Sequence, residues 1–192
     1  MFLAGIQKLS LLDYPGMVAC TLFTPGCNFR CPWCHNASLV LPDQLPREGL
    51  DPDEVLNYLK KRKGVLDGVG ITGGEPLLQL DEPLIAMMHQ HGFDVAVETN
   101  GTLPVPQGVD WVCVSPKMGA KLVVTKGDEL KVVVPQAGQD LKAYERLDFT
   151  HHYLQPMDGE NAQQNVKIAV ETCLKHPQWK LSLQTHKYLQ IP

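Results

Sequence analysis

The chain has 192 residues, 20% of them charged, and a net charge of −4. That is long enough for one domain with its own core, and it leaves no basic excess of the kind that binds nucleic acid. No apolar run is long enough to span a bilayer, and Asp13 interrupts the one early hydrophobic stretch, so neither a membrane segment nor a secretion signal is expected. A cytoplasmic protein follows from this reading, and a reducing compartment would keep its six cysteines as thiols.

Residues 1–17 read as a turn-rich lead-in around Asp13-Tyr14-Pro15-Gly16. Val18 to Phe23 follows as a first strand, which runs into a loop carrying three closely spaced cysteines. Residues 37–50 are proline-rich and irregular. A helix starts at Asp51-Pro52-Asp53-Glu54, which supplies an N-cap, a proline at the first position and an acidic first turn. Val55, Leu56 and Leu59 form its buried stripe, and Lys60-Lys61-Arg62-Lys63 closes it, where cations suit the negative end of the dipole. Val69 to Thr72 is a strand, and Asp81 to His91 a helix with Leu84, Ile85 and Met88 inward.

Further strands fall at Val95–Thr99, Trp111–Ser115, Leu130–Val134, Tyr153–Gln155 and Lys180–Gln184. Helices around Leu141–Leu147 and Asn161–His176 separate the last three. This alternation implies an α/β fold with a parallel sheet and right-handed crossovers. A complete eight-unit barrel typically takes about 250 residues. The length therefore suits a partial, TIM-like βα barrel of about six units. Residues 1–192 read as one domain, without repeats or linkers. Cys27, Gly74, Thr99, Ser115, Gln155 and His186 fall near strand C-terminal ends, the rim where parallel α/β architectures bind ligands.

The densest chemistry lies in Cys27-Asn28-Phe29-Arg30-Cys31-Pro32-Trp33-Cys34. Thiolate sulfur suits iron, and such a spacing can wrap one iron–sulfur cluster. A cube of four irons held by three cysteines leaves one iron open to a small molecule. The alternative on spacing is a structural zinc site closed by His35, although structural zinc more often joins two separated ligand pairs. Downstream, Gly73-Gly74-Glu75-Pro76 ends a strand with two glycines, which let the backbone approach a ligand closely, while Glu75 offers a carboxylate. Cys20, Cys113 and Cys173 sit in strand-like or helical runs and read as buried free thiols.

The three-cysteine loop and Gly-Gly-Glu-Pro together resemble the radical S-adenosylmethionine superfamily, a resemblance that displaces zinc. It implies a 4Fe–4S cluster on Cys27, Cys31 and Cys34, with S-adenosylmethionine chelating the open iron. Trp33 stands at the aromatic position beside the adenine. His35, Gly73, Gly74 and Glu75 fall among the residues implied to surround the cofactor.

From Thr72 onward the chain resembles 7-carboxy-7-deazaguanine synthases, enzymes of queuosine and deazapurine biosynthesis. The matching segments are Thr72 to Pro76, Glu98-Thr99-Asn100-Gly101, Ser115-Pro116-Lys117, Gln155-Pro156-Met157-Asp158-Gly159, and Leu183 to Pro192. The resemblance implies that Ser115, Pro116, Lys117, Gln155, Pro156, Met157 and Asp158 line the S-adenosylmethionine site. Thr72, His186 and the carboxylate of Pro192 would contact a pterin, 6-carboxy-5,6,7,8-tetrahydropterin. The implied reaction is ring contraction of that pterin to 7-carboxy-7-deazaguanine with loss of ammonia, a carbon–nitrogen lyase activity. A flavodoxin-type reductant is the implied partner, and a homodimer is allowed.

Residues 8–16 and 27–36 instead resemble activating enzymes of anaerobic ribonucleotide reductase, which place a glycyl radical on a large partner. The synthase pattern has Leu-Gln-Gly-Glu-Gly where this chain has Leu12-Asp13-Tyr14-Pro15-Gly16. It has an arginine for the substrate carboxylate where Phe23 stands, and Asp-Thr, the threonine binding magnesium, where His35-Asn36 stands. Asn36 still offers a carbonyl oxygen to magnesium. The sequence thus reads as a hybrid with a junction near residues 65–75. The synthase reading leads because its segments cover the longer span. The alternatives are an activating enzyme and a cluster protein that never cleaves its cofactor. The spacing makes one prediction: anaerobic reconstitution should load about four iron and four sulfide per chain. Alanine at Cys27, Cys31 or Cys34 should abolish loading, measured by iron content and visible absorption, while alanine at Cys20, Cys113 or Cys173 should not.

Overall fold

The computed structural model describes residues 1–185, and its strands join one sheet in chain order. They are β1 (Gly5–Ser10), β2 (Ala19–Thr24), β3 (Gly68–Gly73), β4 (Asp94–Thr99), β5 (Trp111–Val114), β6 (Lys126–Val134), β7 (Asp148–Pro156) and β8 (Trp179–Leu181). β2 to β8 run parallel, and β1 lies antiparallel to β2 at one edge. Among the described residues no pairing joins β1 to β8, so the barrel stays open. Six parallel steps lead from β2 to β8, as the length suggested.

Four of those steps carry a helix: α1 (Pro52–Lys61), α2 (Glu82–Gln90), α3 (Leu141–Tyr144) and α4 (Ala162–Lys175). Aspartates start the first three, because a short carboxylate can take the otherwise unpaired N–H groups of a first turn. Asp51 accepts from Asp53 N, Asp81 from Leu84 N, and Asp140 from Lys142 N and Ala143 N.

The two-residue period of a strand separates two environments. Cys20, Leu22, Val69, Ile71, Val95 and Val97 join Leu59 of α1 and Ile85 and Met88 of α2 in one core cluster. Leu130, Val132, Val134 and Leu154 pack with Ala169 of α4 and with Trp179 in a second. The alternate residues, among them Thr21, Thr72, Ala96, Glu98, Cys113, Glu129, Lys131 and Tyr153, face the concave side.

Five expected elements need correction. Residues 5–10 are a strand, not part of a turn-rich lead-in; β2 supplies its hydrogen-bond partners, and mostly exposed side chains hide it from an apolar pattern. β6 and β7 begin at Lys126 and Asp148, before the expected Leu130 and Tyr153, because Lys126, Asp128 and Glu129 in the first and Asp148, His151 and His152 in the second break the apolar run. β8 stops at Leu181, and α3 stops at Tyr144.

The loop between β1 and β2 fills the floor of the concavity. Tyr14 is buried there with Ala19 and Ala96, beside Met17 and Trp111. Its ring lies against Gly68, where an added Cβ would come within 2.9 Å of ring carbons. No helix among the described residues is long and apolar enough to cross a membrane. Leu22 is fully buried whereas Leu12 is 65% exposed. Leu22→Ala should therefore cost about 2–5 kcal/mol, read by urea denaturation. Leu12→Ala should stay within about 0.5 kcal/mol.

Candidate functional site

β2 and β3 lie side by side, with Thr24 paired to Gly73, so the loops that leave them start as neighbours. Gly74 N donates to Thr24 O at 2.8 Å and Glu75 N to Gly26 O at 2.7 Å. A Cβ on Gly74 would sit 2.0 Å from Gly26 O. Gly73, at φ +113°, would carry a Cβ 2.6 Å from Thr24 O. Both glycines are therefore required by the backbone of the cysteine loop, and the role expected for Gly74 as a face toward a ligand is not its only constraint.

Glu75 also departs from expectation. It is fully buried, and its carboxylate accepts from Thr99 Oγ1 at 2.6 Å, Asn100 N at 2.7 Å and Leu77 N at 3.1 Å. These bonds tie β3 to the end of β4. Asn100 continues the chain of contacts. Its Nδ2 donates to Asn28 Oδ1 at 2.7 Å, and Asn28 Nδ2 donates to Thr102 Oγ1 at 2.8 Å. The segment after β4 therefore clasps the cysteine loop, a function sequence reading missed.

The three loop cysteines are half-buried free thiols. Burial pushes Cys27 and Cys31 up; the Phe29 amide works against this at Cys27, and the Lys117 ammonium does so at both. Among the described residues no three His, Cys, Asp or Glu side chains converge on one point fit for a single metal ion. Three free thiols on one loop are the donor set that an iron–sulfur cluster takes.

The other expected residues gather at the same rim. Trp33 is half-buried, and His35 Nδ1 lies 4.0 Å from Asp158 Oδ2, linking the loop to the end of β7. Asn36 Nδ2 donates to Gly73 O at 3.3 Å. Ser115 is buried, its N donating to Thr99 O and its hydroxyl accepting from Lys117 Nζ at 2.8 Å. Pro116 is buried beside them. Gln155 and Pro156 pair with Val133 and Val134 of β6, and Pro156, Met157 and Asp158 border a cavity of about 440 Å³ against α4. His186 and Pro192 lie outside the described residues.

Below this rim, Thr72 lines a small cavity with Asp13, Thr21, Gly70, Ala96 and Glu98. Phe23 is the register neighbour of Thr72. Glu98 and Asp13 were not singled out as site residues. A glutamate in the apolar run Val95-Ala96-Val97 was the available signal for the first; nothing local marks the second.

The profile of the radical SAM superfamily matches residues 21–125. A 7-carboxy-7-deazaguanine synthase from Bacteroides thetaiotaomicron is 41% identical over 169 residues, covering 86% of this chain and 84% of that protein. The chain belongs to this synthase family of the radical SAM superfamily.

The synthase from Burkholderia multivorans is 60% identical over 121 residues, 63% of this chain and 58% of its own length. The chain thus matches less than two thirds of that relative. A Methanocaldococcus jannaschii protein named for glycyl-radical enzyme activation is 36% identical over 103 residues, 53% of this chain and 41% of its own. In fold, the chain matches the crystal structure of QueE from Escherichia coli with a TM-score of 0.68 at 23% identity, over 95% of this chain and 93% of that one. Radical SAM membership carries a 4Fe–4S cluster and S-adenosylmethionine as cofactors. The Gly74 packing yields a prediction about the first of these. Gly74→Ala should displace the cysteine loop and speed iron loss under a chelator, whereas Gly70→Ala, whose Cβ meets nothing closer than 3.7 Å, should not.

Proposed function

We propose that the chain is a 7-carboxy-7-deazaguanine synthase, converting 6-carboxy-5,6,7,8-tetrahydropterin to 7-carboxy-7-deazaguanine with loss of ammonia. The observation that carries this reading is the polar concave face, where Thr72, Asp13 and Glu98 line a cup, a cavity of about 10 Å³, and Thr72 lies on the strand that leads to Gly73 and Gly74, in a chain of the synthase family. The cluster and S-adenosylmethionine, when bound, would supply radical hydrogen abstraction toward the cup.

In this reading Cys27, Cys31 and Cys34 hold the cluster. Trp33, His35, the backbone of Gly73 and Gly74, Ser115, Pro116, Lys117 and Gln155 to Asp158 surround S-adenosylmethionine. Glu75 supports them from beneath through Thr99 and Asn100. The Thr72 hydroxyl and the Glu98 carboxylate meet the pterin, whose ring N–H groups suit oxygen acceptors. His186 and Pro192 are further substrate candidates by resemblance. Phe23 leaves the substrate carboxylate without the family's arginine, and a charged hydrogen bond of that kind is worth about 1.5–3 kcal/mol, so weak pterin affinity follows. Asn36 uses its amide nitrogen on Gly73 O, which leaves its oxygen as the ligand for magnesium. A flavodoxin-type protein is the reductant, and a homodimer is consistent with the family.

The chain acts as one domain through the junction near 65–75. In support, β2 and β3 pair across it along their whole length, and the Bacteroides match is too long to avoid it. The second reading, a glycyl-radical activating enzyme, has the Methanocaldococcus match in its favour. An anaerobic assay separates the two. Formation of 5′-deoxyadenosine should rise severalfold on adding the tetrahydropterin and should yield 7-carboxy-7-deazaguanine. Indifference to the pterin, together with stimulation by a glycyl-radical enzyme, overturns the synthase reading.

A further inference from the structure

The concave face carries a chain of charges that no cofactor role uses. Lys131 Nζ on β6 lies 3.2 Å from Glu98 Oε1 on β4 and 3.5 Å from Glu129 Oε1 on its own strand. Neighbouring strands are about 4.8 Å apart, so β4 and β6 are separated by about 10 Å across β5. A lysine can cross that gap because β5 offers only the short side chain of Cys113 at this level, with Glu98 and Glu129 on either side of it in register. The Cys113 thiol, pushed far up by burial, donates to Glu129 Oε1 at 3.5 Å.

The two carboxylates differ in exposure. The Glu129 side chain is 8% exposed and accepts from both Cys113 and Lys131, whereas that of Glu98 is 37% exposed and borders the cup with Thr72. Two carboxylates and one ammonium leave this chain with one net negative charge, at the end that faces the cup. Building such a chain costs desolvation that an apolar core would avoid, so its value lies in what it does to Glu98.

We propose that Lys131 is a positioning residue for substrate binding: anchored by Glu129, it holds Glu98 fixed and ionised as an acceptor for ring N–H groups of the pterin. This inference rests on the synthase reading. Lys131 holds the Glu98 carboxyl below the usual carboxylate range, against burial, and Lys117 and His35 act in the same direction from the rim. Burial opposes the Lys131 ammonium, but the facing carboxylates Glu98 and Glu129 outweigh it and keep the lysine charged. The other groups on these sides of the cup are Asp13 from the β1–β2 loop and Tyr153 from β7, with the hydroxyls of Thr21 and Thr72. Glu98 has its carboxyl depressed, so it accepts N–H groups down to low pH; without Lys131 it would protonate at higher pH.

The test is anaerobic calorimetric titration of 6-carboxy-5,6,7,8-tetrahydropterin into protein reconstituted with iron, sulfide and S-adenosylmethionine, without reductant. Lys131→Met alone strands the buried Glu129 carboxylate and can unfold the chain, so Glu129→Gln accompanies it. That pair should weaken pterin binding about tenfold or more and move the acid limb of the binding profile to higher pH. The same pair introduced beside Glu98→Gln should have little further effect, because coupled residues are not additive. An equal loss with and without Glu98, or an unmoved acid limb, overturns the assignment while leaving wild-type binding as it was. Failure of the wild type to bind the pterin overturns the synthase reading, and the substrate named here with it.

Discussion

Three strand ends meet at one buried carboxylate. Glu75 leaves β3, binds Thr99 Oγ1 and Asn100 N at the end of β4, and through its own N–H holds Gly26 O beyond β2. Burying a carboxylate costs several kcal/mol. Hydrogen bonds to a charged acceptor are worth about 1.5–3 kcal/mol each, so three well-made ones can offset that cost only if the geometry is held. It is held because Gly73 and Gly74 let the backbones of the two loops touch. The cysteine loop has no regular secondary structure beyond β2, and it takes its shape from this junction and from the Asn28–Asn100 clasp.

The sheet divides its chemistry by face. Helices cover one side with Val, Ile and Leu, so that side contributes stability and little else. Among the described residues no helix covers the concave side, which carries hydroxyls, carboxylates and Lys131. Tyr14 closes its lower end with the rings of Tyr14 and Trp111 6.0 Å apart, which leaves the rim as the way in. A reactive group delivered at the rim would therefore meet a substrate held by polar groups and shielded from below.

The two resemblances within the chain meet in this architecture. β2 and the cysteine loop come from the stretch that looks like an activating enzyme, while β3 onward follows the synthase pattern. Backbone hydrogen bonds and glycine contacts join them, and neither depends on which side chains a family prefers. Of the side chains that differ, Asp13 lines the cup and Phe23 is the register neighbour of Thr72, while His35 and Asn36 directly follow the third loop cysteine.

Local order was legible in the chain itself. The cysteine spacing, the Gly-Gly-Glu-Pro turn, the capped starts of α1 and α2 and the apolar strands β3, β4 and β5 depend on residues a few positions apart, whose chemistry shows in a short window. The edge strand β1 and the early parts of β6 and β7 did not show, because their partners are other strands and charged residues break their apolar runs. The same holds at the site. Glu75 reads as a ligand when seen alone, but Asn100, 25 positions on, turns it into a brace. Asn28 finds Asn100 across 72 positions, and Lys131 finds Glu98 across 33. A periodic pattern records what a residue does to its neighbours along the chain; where a carboxylate's charge is spent depends on which donors the sheet brings within about 3 Å, and that is settled only when the strands assemble.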